Sequence, residues 1–384
     1  MAIQVQYSSS IILYAGSFAL AVLFAALAQV FARPVKPAAL SPSFTQTERP
    51  HRVFWLLAFL VPFLLSAFRW KVGTDYLTYI SLYEAINSIS TLEQLWQQVL
   101  EVEPLYVLMN VLVKLVFNNP LPIFFLSSLL LLGFLFRAVE DYHGKISVML
   151  AVFVFLTLMF STTLNIMRQM IAVSITFYAA RHLFQKQYDK AALWMFLALM
   201  FHYSAIVLLP FWLFRGPQRY ARNARIAMFA ALVLMFVLGS VFGSIFSSIR
   251  ALYTGEDGEG GTLKIGLMLL RLPIIVPILL FRKQLIAHDE RNKFWIMLAV
   301  FEVLFSYLGY ILDVLNRLSL YFAVSWIVLL PALVRSMPTR GAQYRMGAYV
   351  IAVCVGLWIF NTAINNYGDV LPYQTIFDAR IPGM

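Results

Sequence analysis

Charge is scarce in this sequence. Asp, Glu, Lys and Arg make up 12% of its 384 residues, against roughly 25% in soluble domains, while 61% are hydrophobic and the mean hydropathy is +0.78. A water-soluble fold has nowhere to hide that much apolar surface, so the solvent for most of the chain must be lipid. Long polar stretches are lacking too. The longest segment without a spanning-length apolar run is 69–103, shorter than the roughly 50 residues of a small independent domain. Any chemistry must therefore come from membrane helices and the loops between them. There is one cysteine, Cys354, which excludes an internal disulfide and a multi-thiolate metal site. No Walker motif, Rossmann glycine fingerprint, HExxH or His/Cys cluster with metal spacing occurs. A DxD-like acidic pair for a metal-bound nucleotide sugar is missing as well. Nucleotide hydrolysis and zinc chemistry are disfavoured, and neither a cofactor nor a metal site is expected. Residues 1–10 hold no Lys or Arg, so no cleavable signal peptide is expected.

What the chain has is apolar runs. A hydrocarbon core of about 30 Å takes roughly 20 residues of helix. Runs of that order lie at 10–31, 52–68, 121–136, 146–163, 167–184, 225–249, 263–281, 294–312, 316–334 and 346–362. Two segments are irregular. Residues 104–117 are apolar but short, and 189–214 is interrupted by His202-Tyr203-Ser204 and Pro210. The expected architecture is a single all-α integral membrane domain over 1–384 with about 12 transmembrane helices, short or broken near 104–117 and 189–214.

The net charge of +11 would suggest nucleic acid in a soluble protein. Here the basic residues sit in short loops, and no nucleic-acid partner is expected. Loops 32–52, 137–145, 181–190, 215–225, 282–293 and 335–345 carry the Lys and Arg, which places them in the cytoplasm. The alternate loops are acidic: 69–103 holds Asp75, Glu84, Glu93, Glu101 and Glu103, and 250–262 holds Glu256, Asp257 and Glu259. Both termini are then expected outside, with 69–103 an outer amphipathic segment. The short run 104–117 would lie in the outer leaflet. Two half-length helices would meet near His202, a break tolerated only in a polar cavity or inside protein.

Ionisable groups that topology does not explain are functional candidates. Arg69, Lys71 and Asp75, in FRWKVGTDYLTY, are either an interfacial anchor with Trp70 and Tyr76 or an anion site beside a base. Arg168-Gln169 opens the run 167–184, where the arginine is either a lone snorkelling side chain or, with the helix N–H groups, a phosphate ligand. His202 at the break is either a satisfied core histidine or a general base. Arg317 sits beside Asp313 and Asn316, as an i, i+4 ion pair or an anion ligand. Arg271 and Glu302, deeper in their runs, read as a buried ion pair or, for Arg271, a cavity-facing charge. Tyr76, Tyr79 and Tyr83 recur at helical spacing, a headgroup-belt face or a surface for sugar rings.

The ordered set FRWKVGTDYLTYISLYE, EPLYVLMNVLVKL, NIMRQMIAVSITFYAARHL, ALMFHYSAIVLLP, NRLSLYF and LPYQTIF resembles the EpsG family over roughly 52–377. That family is similar to Wzy-type polymerases of exopolysaccharide, capsule or O-antigen, and to membrane glycosyltransferases of the C superfamily (GT-C-like). The resemblance implies a bacterial cytoplasmic-membrane enzyme that moves a growing chain from undecaprenyl diphosphate onto a lipid-linked repeat unit, outside the membrane and without metal. A chain-length regulator and a flippase are the implied partners. Arg69, Lys71, Arg168, Arg317 and Arg271 would bind the diphosphate. His202, Asp75 or Glu103 would be catalytic, and Gln169, Tyr76 and Tyr79 would position substrate. His202 is preferred as base because Asp75 lies four residues from Lys71 and should stay paired. An O-antigen ligase-like transferase and an oligosaccharide flippase or transporter are the competing readings.

Overall fold

The computed structural model describes residues 2–34, 48–86, 93–94, 102–213, 269–309 and 313–378. The expected span 225–249, the loops 215–225 and 250–262, and Glu101 lie outside them. Among the described residues the chain is helical apart from a two-stranded ribbon, β1 (Arg33–Pro34) against β2 (Glu48–Arg49). It divides into two compact units, residues 1–205 with 330–384 and residues 206–329.

In chain order the helices are α1 (Ala2–Val30), α2 (Arg52–Ala67), α3 (Tyr76–Ala85), α4 (Pro104–Val116), α5 (Leu121–Glu140), α6 (Val148–Leu158), α7 (Phe160–Thr163), α8 (Met167–Phe184) and α9 (Tyr188–Phe201). After a 3-10 turn at Tyr203–Leu208 come α10 (Leu209–Leu213), α11 (Leu272–Leu280), α12 (Arg282–His288), α13 (Asn292–Leu308), α14 (Asp313–Ala323), α15 (Ser325–Arg335) and α16 (Arg340–Trp358), which ends in a π-turn at Ile359–Ile364. Four stretches among the described residues are long and apolar enough to cross a membrane: Gln6–Val30, Leu121–Glu140, Leu315–Arg335 and Arg340–Ile364.

The remaining runs are shorter or broken. The run 146–163 is interrupted at Met159, whose φ of −128° ends α6 before α7 begins. The run 189–214 breaks at His202, which leaves the helix in an extended conformation. Backbone N–H and C=O groups freed at such breaks need partners inside the protein. Asn165 supplies one after the first break and ties the turn at Thr74 to it. Its Oδ1 accepts from Thr74 N (2.6 Å) and Thr74 Oγ1 (3.0 Å), and its Nδ2 donates to Ser161 O (3.3 Å).

In the first unit α1 packs on α2 and α6, α2 on α5, α5 on α8, α8 on α9, and α9 on α4. One end of this unit gathers residues far apart in the chain. The segment 368–376 returns to bond the turn after α2: Trp70 N donates to Gln374 O (2.8 Å), Gly73 N to Asp369 O (3.0 Å), Thr74 N to Gly368 O (3.2 Å) and Ile376 N to Phe68 O (2.9 Å). Tyr373 ties the same segment to α1 and α2, its N–H donating to Ser10 Oγ (2.9 Å) and its hydroxyl to Leu65 O (2.8 Å). The opposite end joins Gln29 to Ser147 and Asp141 to Arg137 and Arg181. Asp141 is nearly buried there, and desolvation raises its pKa above the usual carboxylate range despite the two arginines.

Gly73 locks the turn. Its φ is +100°, and a Cβ there would stand 2.8 Å from Leu164 O and 2.9 Å from Asn165 Oδ1. Gly73→Ala is expected to destabilise the unit by about 1–3 kcal/mol through strain and crowding, read as a lowered melting temperature in detergent. Unchanged melting would mean that the turn can move away from Leu164 and Asn165.

Candidate functional site

Glu103 stands at the centre of the charged end. It precedes Pro104, the first residue of α4, and has φ +69° and ψ 139°, a conformation that side chains rarely adopt. Such strain persists only where the surroundings enforce it, and it concentrates at functional sites. The carboxylate is nearly buried, its side chain 5% exposed. Oε1 is 2.5 Å from His202 Nδ1, and Oε2 accepts from Arg168 Nη1 at 2.6 Å. Arg168 Nη1 also donates to Val102 O (3.2 Å), which fixes the guanidinium against the strained residue. Three residues read separately from the sequence, 65 and 99 positions from Glu103, thus form one constellation.

The local structure explains each placement. Arg168 is the second residue of α8, where the first turn leaves its N–H groups without helical partners. His202 caps the C-terminus of α9, its N–H bonded to Ala198 O (2.9 Å) before the chain turns into the 3-10 segment. With Nδ1 held by a carboxylate, Nε2 is the nitrogen left to accept a proton. This is the carboxylate–imidazole arrangement that orients a general base. The side chains of Arg168 and His202 are each 24% exposed, so both remain reachable.

Arg69 is fully buried and touches no carboxylate among the described residues. Nη1 donates to the Ser66 carbonyl, and Nη2 to Leu164 O (3.2 Å) and Met167 Sδ (2.8 Å), while the ring of Phe124 lies 4.9 Å away. It therefore binds the start of α8 to the end of α2 and leaves a fixed positive charge beneath the site. Tyr76 and Tyr79 turn inward: Tyr76 stacks on Phe124 at 4.4 Å, and Tyr79 packs on Tyr106 at 5.9 Å. Burial pushes both hydroxyls up to about 12, so both stay neutral. The headgroup-belt reading of these tyrosines thus gives way to a core face; Tyr83 OH completes it by donating to Phe117 O (2.6 Å).

Lys71 is exposed and lies over the Trp70 ring at 5.9 Å, while Asp75 is half-buried and accepts from Thr74 Oγ1 at 3.2 Å. The expected Lys71–Asp75 pair does not form. An i, i+4 pair needs a helix, and residues 71–75 are a turn with positive φ at Lys71 and Gly73. Gln169 is buried on α8. In the second unit Arg271 Nε donates to the buried Glu302 at 3.1 Å and its guanidinium lies 5.3 Å from the Trp326 ring, the ion pair expected from the sequence. Arg317 is exposed on α14.

The sequence assigns no site role to Asn165 or to the returning segment 368–376, although Asn165 and most of that segment fall in the stretches that carry the family resemblance. Asn165 was one polar residue in a loop, and LPYQTIF has neither periodicity nor charge.

Apolar spanning helices, interrupted helices and a Glu103–His202–Arg168 group gathered at one end define a polytopic α-helical membrane protein. The EpsG family of Wzy-like polymerases matches residues 52–375, and the chain belongs to it. No curated protein and no solved structure matches the chain.

Proposed function

We propose that this protein is a polysaccharide polymerase of the bacterial cytoplasmic membrane. It transfers a growing glycan from undecaprenyl diphosphate to a lipid-linked repeat unit, with its charged end facing outward. The observation that carries this reading is the Glu103 carboxylate bridging His202 and Arg168. His202 Nε2 takes the proton of the acceptor hydroxyl as its oxygen attacks the anomeric carbon. The bond from that carbon to the diphosphate oxygen breaks, and the diphosphate leaves with the electron pair. Arg168, with a planar fork suited to two phosphate oxygens, neutralises the departing charge. Arg69 adds a fixed positive field from below, and the exposed Lys71 adds a mobile cation on the adjoining turn. A diphosphate leaving group requires no nucleotide and no metal. About 12 crossings and a GT-C-like arrangement belong to the same proposal, as do partnerships with a flippase and a chain-length regulator.

The test gives purified protein a lipid-diphosphate-linked repeat unit without metal or nucleotide. Lipid-linked chains of increasing length are expected on gel or by mass spectrometry. Transfer to a non-lipid-linked acceptor would indicate a ligase instead. Transbilayer movement of the donor without new glycosidic bonds would overturn an enzymatic reading.

A further inference from the structure

At the end of the first unit opposite Glu103, the connection from α1 to α2 gathers three cations. Arg33 on β1 and Arg49 on β2 face each other across the antiparallel ribbon, and Arg52 opens α2. All three are exposed. Facing residues of an antiparallel pair have Cα atoms about 4.5–5.5 Å apart, and like charges placed there repel. Nothing local offsets the repulsion. Among the described residues none of the three arginines has a carboxylate within ion-pair distance. Arg33 Nη2 instead meets His51 Nε2 at 3.3 Å. A guanidinium only donates, so the imidazole accepts and brings no negative charge. Glu48 is the nearest acid in the chain, but it is paired with Pro34. Successive strand residues project to opposite faces, which turns Glu48 away from the arginines.

The ribbon stands where two apolar helices end. His51 N donates to Ala28 O (2.8 Å) and ties the start of α2 to the last turn of α1. Phe31 packs on Phe54 at 5.7 Å, and the His51 ring lies 5.2 Å from the same phenyl group. Val30, Phe31, Val53 and Leu56 are each more than half exposed. Open apolar side chains therefore flank the arginines on both sides in the chain, with Val30 and Phe31 before Arg33 and Val53 after Arg52.

We infer that the α1–α2 connection is a binding site for an anionic phospholipid. Its phosphate lies between Arg33 and Arg49, and its acyl chains run along Val30, Phe31, Val53 and Leu56. A phosphodiester supplies the negative charge that the ribbon lacks, and a guanidinium can bond two of its oxygens at once. The apolar rim decides among anions. A free phosphate or an acidic peptide would leave those side chains unused, whereas a lipid headgroup arrives with hydrocarbon attached. A zwitterionic lipid carries its own ammonium beside the phosphate and so offsets the arginines less. The site shares no residue with the Glu103 group, so the inference is independent of the proposed transfer.

The experiment uses full-length protein in a neutral detergent, titrated with phosphatidylglycerol or phosphatidylcholine and read by native mass spectrometry. Phosphatidylglycerol should bind in preference to phosphatidylcholine. Arg33→Gln with Arg49→Gln should lower its affinity about 10-fold, the scale expected for arginines at an anionic headgroup. Arg340→Gln with Arg345→Gln is the control, because these exposed arginines lie along one helix, α16, and are not opposed across a ribbon. It should leave the affinity unchanged. Equal losses in the two double variants would mean diffuse attraction to a basic surface, and the inference falls; it falls too if neither changes binding. Arg49→Glu tests the ribbon separately, since it sets a carboxylate opposite Arg33 and keeps the strands paired. Its melting temperature without lipid should equal or exceed that of wild type. Phosphatidylglycerol should raise the melting temperature of wild type and not that of Arg49→Glu; a wild-type response in the variant would overturn the inference. Soluble glycerophosphate should not reproduce the wild-type shift. If it does so in full, the arginines hold a free anion and the lipid assignment is wrong.

Discussion

Replacing His202 by alanine is expected to slow chain elongation by about 10²–10⁴-fold, the usual contribution of a positioned general base. Protein abundance and melting should change little, because the imidazole is partly exposed and its removal leaves no large buried void. Glu103→Gln should produce a loss of similar order for a different reason. A glutamine oxygen can still accept from Nδ1–H, but the neutral amide no longer stabilises the imidazolium that forms as the hydroxyl is deprotonated. The two residues act as one unit, so the double variant should be no slower than His202→Ala alone. Polymerisation by His202→Ala within a few-fold of wild type would move the base elsewhere, with Asp75, half-buried on the turn, the next residue to test.

Arg168 is the second large effect. Arg168→Gln should lower kcat by about 10²–10³-fold, as for the loss of one donor aimed at developing negative charge, with KM for the donor also raised. Substitution has a structural consequence as well. Glu103 is nearly buried, and removing one partner of a buried pair leaves a charge without its counterion, a loss of about 3–5 kcal/mol in soluble proteins. A stability defect alone would therefore prove nothing about the diphosphate. The double variant Arg168→Gln with Glu103→Gln separates the two effects. It has no uncompensated charge and should recover much of the lost melting temperature, yet it should bind donor as weakly as Arg168→Gln alone. Arg168→Lys should bind donor but restore little turnover, since an ammonium cannot match a two-pronged contact. Recovery of donor binding in the double variant would show that Arg168 only supports Glu103.

The broad architecture was legible because lipid imposes simple rules. Apolar length marks α1, α5, the stretch through α14 and α15, and α16, and a run interrupted by His202-Tyr203-Ser204 marks the end of α9. Arg168 stood out because it opened a helix on the side where basic residues are disfavoured. Long-range geometry was less accessible. Glu103 read as the start of a helix before Pro104, and nothing in its neighbours reveals a partner 99 residues away. The tyrosines of α3 were ambiguous for a chemical reason: a phenol suits a headgroup belt, a sugar face or a buried ring stack. Only the position of Phe124 decides for the last. Lys71 and Asp75 looked paired because helical spacing was assumed, whereas the positive φ of Gly73 turns the chain first.

The return of residues 368–376 to the turn after α2 has a consequence in time. A ribosome adds about 5–20 residues per second, so the turn carrying Arg69 and Asp75 emerges well before its backbone partners at Gly368, Asp369 and Gln374 exist. Until then the N–H groups of Trp70, Gly73 and Thr74 lack those carbonyls, and Arg69 has lost part of the cover above it. Translation that stops short of Gly368 therefore yields a protein that can enter the bilayer but cannot close its charged end. Such a product would lack the backbone contacts that hold the turn beside Arg69, and the proposed transfer would have no complete site.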